Sequence, residues 1–405
     1  MDVEHELRRV LLERDLPSDP TDEVDVVPAV HAGMRRRVRR QRLSYLGAAA
    51  GVLAVWGGAV LVLQPATSTK PQVPISVIAN VPPGFQIRDL TFVSTTRGYG
   101  LGTVPCGSSR CTVLLQTDTG TRAWERAPGP LVPDVSQVRF ATDAAGEEIG
   151  YAYGPSYLVF KDGDWTRQAT GRRVEALEAA KAGTVVRVLA REGGGHYVQQ
   201  SSVGSSTWRT VLAVTAPTFN AALKRQGPRL VLVTYDNNTT AEPNVSDVRF
   251  SVDGGTTWKK GAHNPCDSSS AFRSVALGKH RHVVVVCARR SGGSYARVSE
   301  DDGTHFGPVR ELPTGLDATQ VAAPASGGLL VAGDVADEKA RVVVASADAG
   351  LTWERVATEK AGPGAEAAGY LDNSNARTVW WIGADPRYVW RTDDAGRTWT
   401  AARFR

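Results

Sequence analysis

A seven-bladed, all-β propeller is the fold predicted for this 405-residue chain, and three observations predict it. The phrase Ser251-Val252-Asp253-Gly254-Gly255-Thr256-Thr257-Trp258 returns as Ser346-Ala347-Asp348-Ala349-Gly350-Leu351-Thr352-Trp353 and as Thr392-Asp393-Asp394-Ala395-Gly396-Arg397-Thr398-Trp399. A fourth copy, Ser299 to Phe306, keeps Asp301 and Gly303 but closes on His305-Phe306. Worn copies lie upstream at Asp118–Trp124, Asp162–Trp165 and Gly204–Trp208, so the closing aromatics stand at 124, 165, 208, 258, 306, 353 and 399. A near-constant period of 41–50 residues marks a propeller or array in which each repeat is one supersecondary unit. The third observation is composition: 41 Gly, 10 Trp and only 2 Met suit a turn-rich β protein better than a helical bundle.

The repeated phrase has the chemistry of a stapled hairpin turn. The carboxylates of Asp253, Asp301, Asp348 and Asp394 can accept N–H groups from the loop ahead, and Gly255, Gly303, Gly350 and Gly396 supply positive φ. Thr and Trp then re-enter a strand, where Trp258, Trp353 and Trp399 can each bury roughly 150–250 Å² between blades. Asp118 is the matching carboxylate of the first, worn copy.

These phrases resemble the Asp-box, or BNR, repeat, and the segment from about residue 74 onward resembles the propellers of sialidases, sortilin-type receptors and photosystem assembly factors. The resemblance implies architecture, with the Asp-box turns joining third and fourth strands on the rim away from the ligand face. It implies little about activity, because function resides in sites grafted on folds.

In chain order, residues 1–43 read as a cytoplasmic stub. Val3, Leu7, Val10 and Leu11 share one face of a short amphipathic helix, a Pro-rich acidic linker occupies 16–30, and Arg35–Arg42 is a basic cluster. Tyr45–Leu63 are 19 uncharged positions within an expected transmembrane helix over 44–64, about the length that spans a ~30 Å hydrocarbon core. The basic cluster on its N-terminal side places the N-terminus in the cytoplasm and the chain beyond residue 64 outside. A cleaved signal peptide is the rival reading; the leader is too long for an n-region and no small-x-small site precedes Thr67. Residues 65–73 are a Pro/Thr-rich linker, and 74–405 are the extracytoplasmic propeller.

Within the propeller, the first blade is expected as strands over 87–93, 98–104 and 112–117 and one from Trp124, and the last as 365–370, 378–382, 388–391 and 399–404. A strand over 75–79 is expected to join the last blade and close the ring. All four cysteines lie beyond the apolar span and so face an oxidising space. Cys106 and Cys111 bracket a hairpin loop, leaving Cys266 to pair with Cys287. Zinc is disfavoured, since no Cys-x2-Cys or His-x3-His pair accompanies them.

Ligand groups are expected on loops joining second and third strands: Tyr235, Asp236, Arg289, Arg290, Asp385 and Arg387 are the candidates, with Arg191, Glu192, His196, Asp337 and Glu338 on equivalent loops. The loop 235–247 is the longest insertion. Sialidases carry a Phe-Arg-Ile-Pro element, to which Phe85-Gln86-Ile87-Arg88 is the nearest match with the Arg shifted and the Pro missing. An arginine clamp can be imagined from Arg88, Arg289 and Arg387, but no spacing demands it. There is no Gly-x-Ser-x-Gly elbow, no Gly-x-x-x-x-Gly-Lys phosphate loop, and no basic–aromatic stripe suited to nucleic acid. No cofactor, catalytic residue or metal site is assigned.

The reading is a single-pass membrane protein whose propeller is a non-enzymatic binding or scaffold module at the bacterial cell surface, meeting an extracellular protein or glycan. A sialidase-like glycoside hydrolase is the first alternative. The second is a transmembrane sensor in which residues 1–30 meet a cytoplasmic partner.

Overall fold

Seven antiparallel four-stranded sheets succeed one another along the chain, over residues 86–126, 137–167, 174–214, 220–263, 270–311, 316–360 and 370–404. The computed structural model describes residues 75–78, 80–120, 122–128, 134–180, 183–216, 218–236, 247–324, 328–360, 370–373 and 377–405. In every sheet the strands lie in sequence order, as local hairpin connections require, and the first strand of each sheet contacts the first strand of the next. The seventh returns to the first, so seven sheets close a ring with seven inner strands around a central channel.

The apolar runs of the sequence explain the packing. Val283–Val286 and Val379–Ile382 are buried on both faces and read as continuous hydrophobic stretches. Among the described residues the buried apolar side chains form seven clusters, each drawn from two neighbouring blades. Blades are thus glued face to face.

The N-terminal strand β1 (Ile75–Ile78) pairs in parallel with the last strand, Thr400–Phe404, as a fifth member of blade 7. It adds to a blade already complete with four strands. Ile78, Phe85 and Ile87 join Trp380, Ile382 and Phe404 in the seam between blades 7 and 1. The described first strand of blade 7 is Tyr370–Asn373, in register with Val379–Ile382; the rest of the expected strand 365–370 lies outside the described residues. Tyr370 stands opposite Ile382, and both pack in the blade 7–1 seam. Among the described residues no helix is long and apolar enough to cross a membrane. The expected stub helix and the span Tyr45–Leu63 lie outside them.

Both disulfides form as paired in the sequence, Cys106–Cys111 and Cys266–Cys287, and there is no free cysteine. The second is buried in the seam between blades 4 and 5, whereas the first closes an exposed hairpin tip.

The four clear repeats share one hydrogen-bond pattern. Ser251, Ser299, Ser346 and Thr392 each donate a hydroxyl to Asp253, Asp301, Asp348 and Asp394 at 2.7–2.8 Å, and accept the N–H of the Gly four residues on at 2.6–2.9 Å. Each carboxylate in turn accepts the N–H four residues on, at 2.9 Å, and that residue's side-chain hydroxyl or, for His305, its Nδ1. Two successive left-handed residues make the bend: Gly255 has φ 95°, and its predecessor is left-handed even where it is Ala349 (φ 57°) or Ala395 (φ 61°). A Cβ on Gly255 would meet Val186 Cγ2 at 2.6 Å, so that glycine also permits the approach of the neighbouring blade.

Asp118 does not occupy the equivalent place. The Thr119 hydroxyl accepts the Ala123 N–H at 2.9 Å, and Asp118, one residue early, pairs with Arg97 at 2.6 Å. In blade 2 the phrase shrinks to a two-residue hairpin with Asp162 and Gly163 both at positive φ.

Slight burial of Asp253 is outweighed by the hydroxyl and N–H of Thr257 and the hydroxyl of Ser251, which hold its carboxyl at about 2 against an ordinary 3.8. A depressed carboxylate pKa contributes stability above the unfolded value that is lost as pH falls through the folded one. Asp253→Ala is therefore expected to lower stability at pH 7 by about 0.5–1 kcal/mol, a figure discounted because the group is exposed. The deficit should fade between about pH 4 and pH 2 in urea unfolding. A deficit independent of pH would mean that the carboxylate's charge does not support the turn.

Candidate functional site

The inner strands place a polar residue in the channel at every blade: Asp89, Arg139, Glu178, Lys224, Arg273, Gln320 and Asp372 come from blades 1 to 7 in order. The apolar residues of the same strands pack into the seams between blades. Two cavities open from the channel. One, about 720 Å³, lies on the side of the loops joining second and third strands; the other, about 650 Å³, lies on the side of the repeated turns. Arg139, Lys224 and Tyr370 line both and form the partition between them.

The partition is built from ion pairs. Arg139 Nη1 lies 3.0 Å from Asp89 Oδ2, and its Nε lies 3.7 Å from Glu178 Oε1, joining blades 1, 2 and 3. Asp89 also accepts the Val138 N–H at 2.7 Å. Lys224 Nζ meets Asp372 Oδ2 at 2.5 Å, a bond from blade 4 to blade 7, which stand on opposite sides of a seven-membered ring. Burial raises the carboxyls of Asp89 and Glu178 against the pull of Arg139. Burial also pulls Arg139 down, but Tyr153, Asp89 and Glu178 outweigh it and keep the guanidinium firmly charged. The Tyr370 phenol is pushed well up by burial and then by Asp372. A phenol so held is the reverse of an activated nucleophile.

The mouth opposite the repeated turns carries a second regularity. In blades 1, 3, 5 and 6 the inner strand holds one extra residue against its neighbour: Ile87 faces Gly102 while Asp89 faces Leu101, which leaves Arg88 as the bulged residue. The same shift isolates Glu175, Arg273 and Thr319. A β-bulge re-aims a side chain, and Arg88, Glu175 and Arg273 line the mouth. Glu175 is held by the fully buried His196, whose Nε2 is 2.8 Å from Oε2 and whose Nδ1 is 3.4 Å from Thr218 Oγ1.

Of the residues predicted from the loops, Tyr235 lines this mouth with its ring 4.6 Å from that of Phe272. Asp236 comes next, and the rest of the loop, 237–246, lies outside the described residues. Arg289 is engaged in a two-bonded pair with Glu311 at 2.7 and 2.8 Å over the Tyr295 ring, with the exposed Arg290 beside it in sequence. Asp385 and Arg387 bond each other within one turn at 2.6 Å. Arg191 lies over the Tyr197 ring, and Glu338 bonds Arg355. Arg88 alone of the imagined clamp lines the mouth; Arg289 and Arg387 are spent on local partners. The channel residues escaped sequence reasoning because no motif marks them. Each is one of several polar residues in the first strand of its blade, so the sequence does not single it out.

No protein-family model matches the chain, and no curated protein matches it. Among solved structures it is similar to YCF48 bound to D1 peptide (15% identity, 80% of this chain and 82% of that one, TM-score 0.39). It is also similar to the β-propeller domain of the Trilobed protease from Pyrococcus furiosus, described as having an open velcro topology (9%, 76% and 96%, TM-score 0.49). A third similarity is to the Hadza microbial sialidase Hz136 (13%, 79% and 66%, TM-score 0.44). These likenesses concern the propeller fold and nothing further.

Proposed function

We propose that the chain is a membrane-anchored binding module whose Asp-box propeller stands outside the cell and receives its partner at the mouth opposite the repeated turns. The observation that carries this reading is the state of the channel chemistry. The arginine that reaches the partition, Arg139, is already neutralised by Asp89 and Glu178, and the nearby phenol of Tyr370 is held protonated. A sialidase-type site needs free arginines around a substrate carboxylate and an activated nucleophile. A rigid ring with a funnel of about 720 Å³ needs neither in order to bind. The anchor and orientation rest on Tyr45–Leu63 and on the basic cluster before it. The two disulfides support an oxidising compartment.

The test is photo-crosslinking on intact cells, with benzoyl-phenylalanine at Ser136, which is exposed at the mouth, or at Leu351, exposed on a repeated turn. A discrete adduct is expected from Ser136 and not from Leu351. Equal adducts from both, or turnover of sialosides or aryl glycosides that Arg88→Ala abolishes, would refute the reading.

A further inference from the structure

The mouth is not chemically neutral toward its partner: its carboxylates Asp89 and Glu175 are engaged, whereas the donors at its rim, Arg88, Arg273, Gln137 and Gln320, retain N–H groups not spent on strong partners. Asp89 accepts from Val138 N–H and Arg139, and Glu175 is engaged by His196. Gln137 Oε1 accepts the Tyr153 hydroxyl at 2.6 Å, and Gln320 Oε1 faces the Ser274 hydroxyl at 3.5 Å. Each of those amides keeps its NH2 group for something else. Arg88 has no ion pair or side-chain hydrogen bond among the described residues, and Arg273 has only a long 3.8 Å contact to an exposed Asp317. Both arginines are the extra residue of a bulge, in blades 1 and 5, so the backbone itself is deformed at the points where they are presented.

Resting on the proposed binding role, we propose that the mouth recognises an acidic peptide segment, with Arg88 and Arg273 gripping its carboxylates and Gln137 and Gln320 donating to its backbone carbonyls. Guanidinium groups match carboxylates with two parallel N–H···O bonds, and amide NH2 groups suit peptide carbonyls. An apolar rim favours a peptide over a purely polar polymer: Tyr235 lines the mouth, and the 57%-exposed Phe219 immediately precedes the inner strand of blade 4. His196 is a positioning residue here. It holds Glu175 to itself, which keeps a carboxylate from competing with the ligand for the arginines.

The experiment measures binding of fluorescein-labelled octaglutamate to the full chain in detergent by anisotropy, with octalysine and oligogalacturonate as alternative probes. Octaglutamate should bind, and the double variant Arg88→Glu/Arg273→Glu should weaken it at least about tenfold. Arg122→Glu/Arg126→Glu, the same charge change at exposed sites away from the mouth, should leave it within about twofold. Raising NaCl from about 0.05 to about 0.5 M should weaken binding severalfold. Because Arg88 and Arg273 are exposed, an unchanged melting curve confirms that the double variant folds. The proposal is overturned if octaglutamate does not bind, if both double variants weaken it equally, or if oligogalacturonate or octalysine is preferred. If the Ser136 adduct survives Arg88→Glu/Arg273→Glu on cells, the binding role stands and the acidic chemistry falls. If no Ser136 adduct forms at all, the binding role itself falls.

Discussion

Arg139→Leu is expected to destabilise the propeller by about 3–5 kcal/mol at pH 7, because it strands buried carboxylates that the wild type neutralises. Asp89 is 4% exposed and bonded to both Arg139 and Val138 N–H; Glu178 has Arg139 as its ion-pair partner at 3.7 Å. Their carboxyls are already raised by burial even with the guanidinium present. Deleting Arg139 removes the strongest force holding them down, so they rise further. For a carboxyl with a raised folded pKa, the folded state holds its proton more tightly than the unfolded state does. Its stability contribution is therefore full below the ordinary carboxylate range and is lost as pH rises through the folded value. The Arg139→Leu deficit should accordingly be largest at pH 7 and shrink toward pH 5. Adding Asp89→Asn to the variant should recover part of the loss, since the charge left behind is then gone. Urea unfolding at both pH values reads all of this. A deficit under about 1 kcal/mol at pH 7, or one that grows toward acid, would show that Arg139 is not what stabilises the partition.

The ring was legible in the sequence to the extent that local chemistry builds it. Seven closing aromatics count seven blades, and the bonds by which Ser251 and Asp253 hold their turn are all made within seven residues. Cys266 and Cys287 could be paired by arithmetic. Asp118 shows where that logic stops. A one-residue offset puts Thr119 at the accepting position, and a hydroxyl can replace a carboxylate in holding one N–H. The candidate site was far less legible. Charged loop tips such as Arg289 and Arg387 satisfy one another locally with Glu311 and Asp385, which no spacing discloses. Lys224 and Asp372 lie 148 residues apart and become partners only when the ring closes. The bulges at Arg88 and Arg273 are invisible without the register of the neighbouring strand. A site assembled from seven separate strands is a property of closure.

Closure itself can be tested at its seam. Trp124 ends a worn repeat, yet it is 2% exposed and packs its ring 5.8 Å from Phe404 and 6.3 Å from Phe92, between the first and last blades. Trp353, from a near-perfect repeat, is only partly buried at the edge of the blade 5–6 cluster. Fidelity to the repeat reports the turn, whereas burial reports what the seam needs, and the cost of a cavity tracks burial. Trp124→Ala is therefore expected to cost about 3–5 kcal/mol, the range for deleting a buried aromatic, and Trp353→Ala less than half as much. The Trp124 indole N–H is buried without a hydrogen-bond partner, so Trp124→Phe forfeits volume but no bond and should cost only about 1–2 kcal/mol. The three variants are compared by urea unfolding at pH 7. If Trp353→Ala matched Trp124→Ala, the repeats would contribute equally whatever their burial, and the first–last seam would not be where closure is secured.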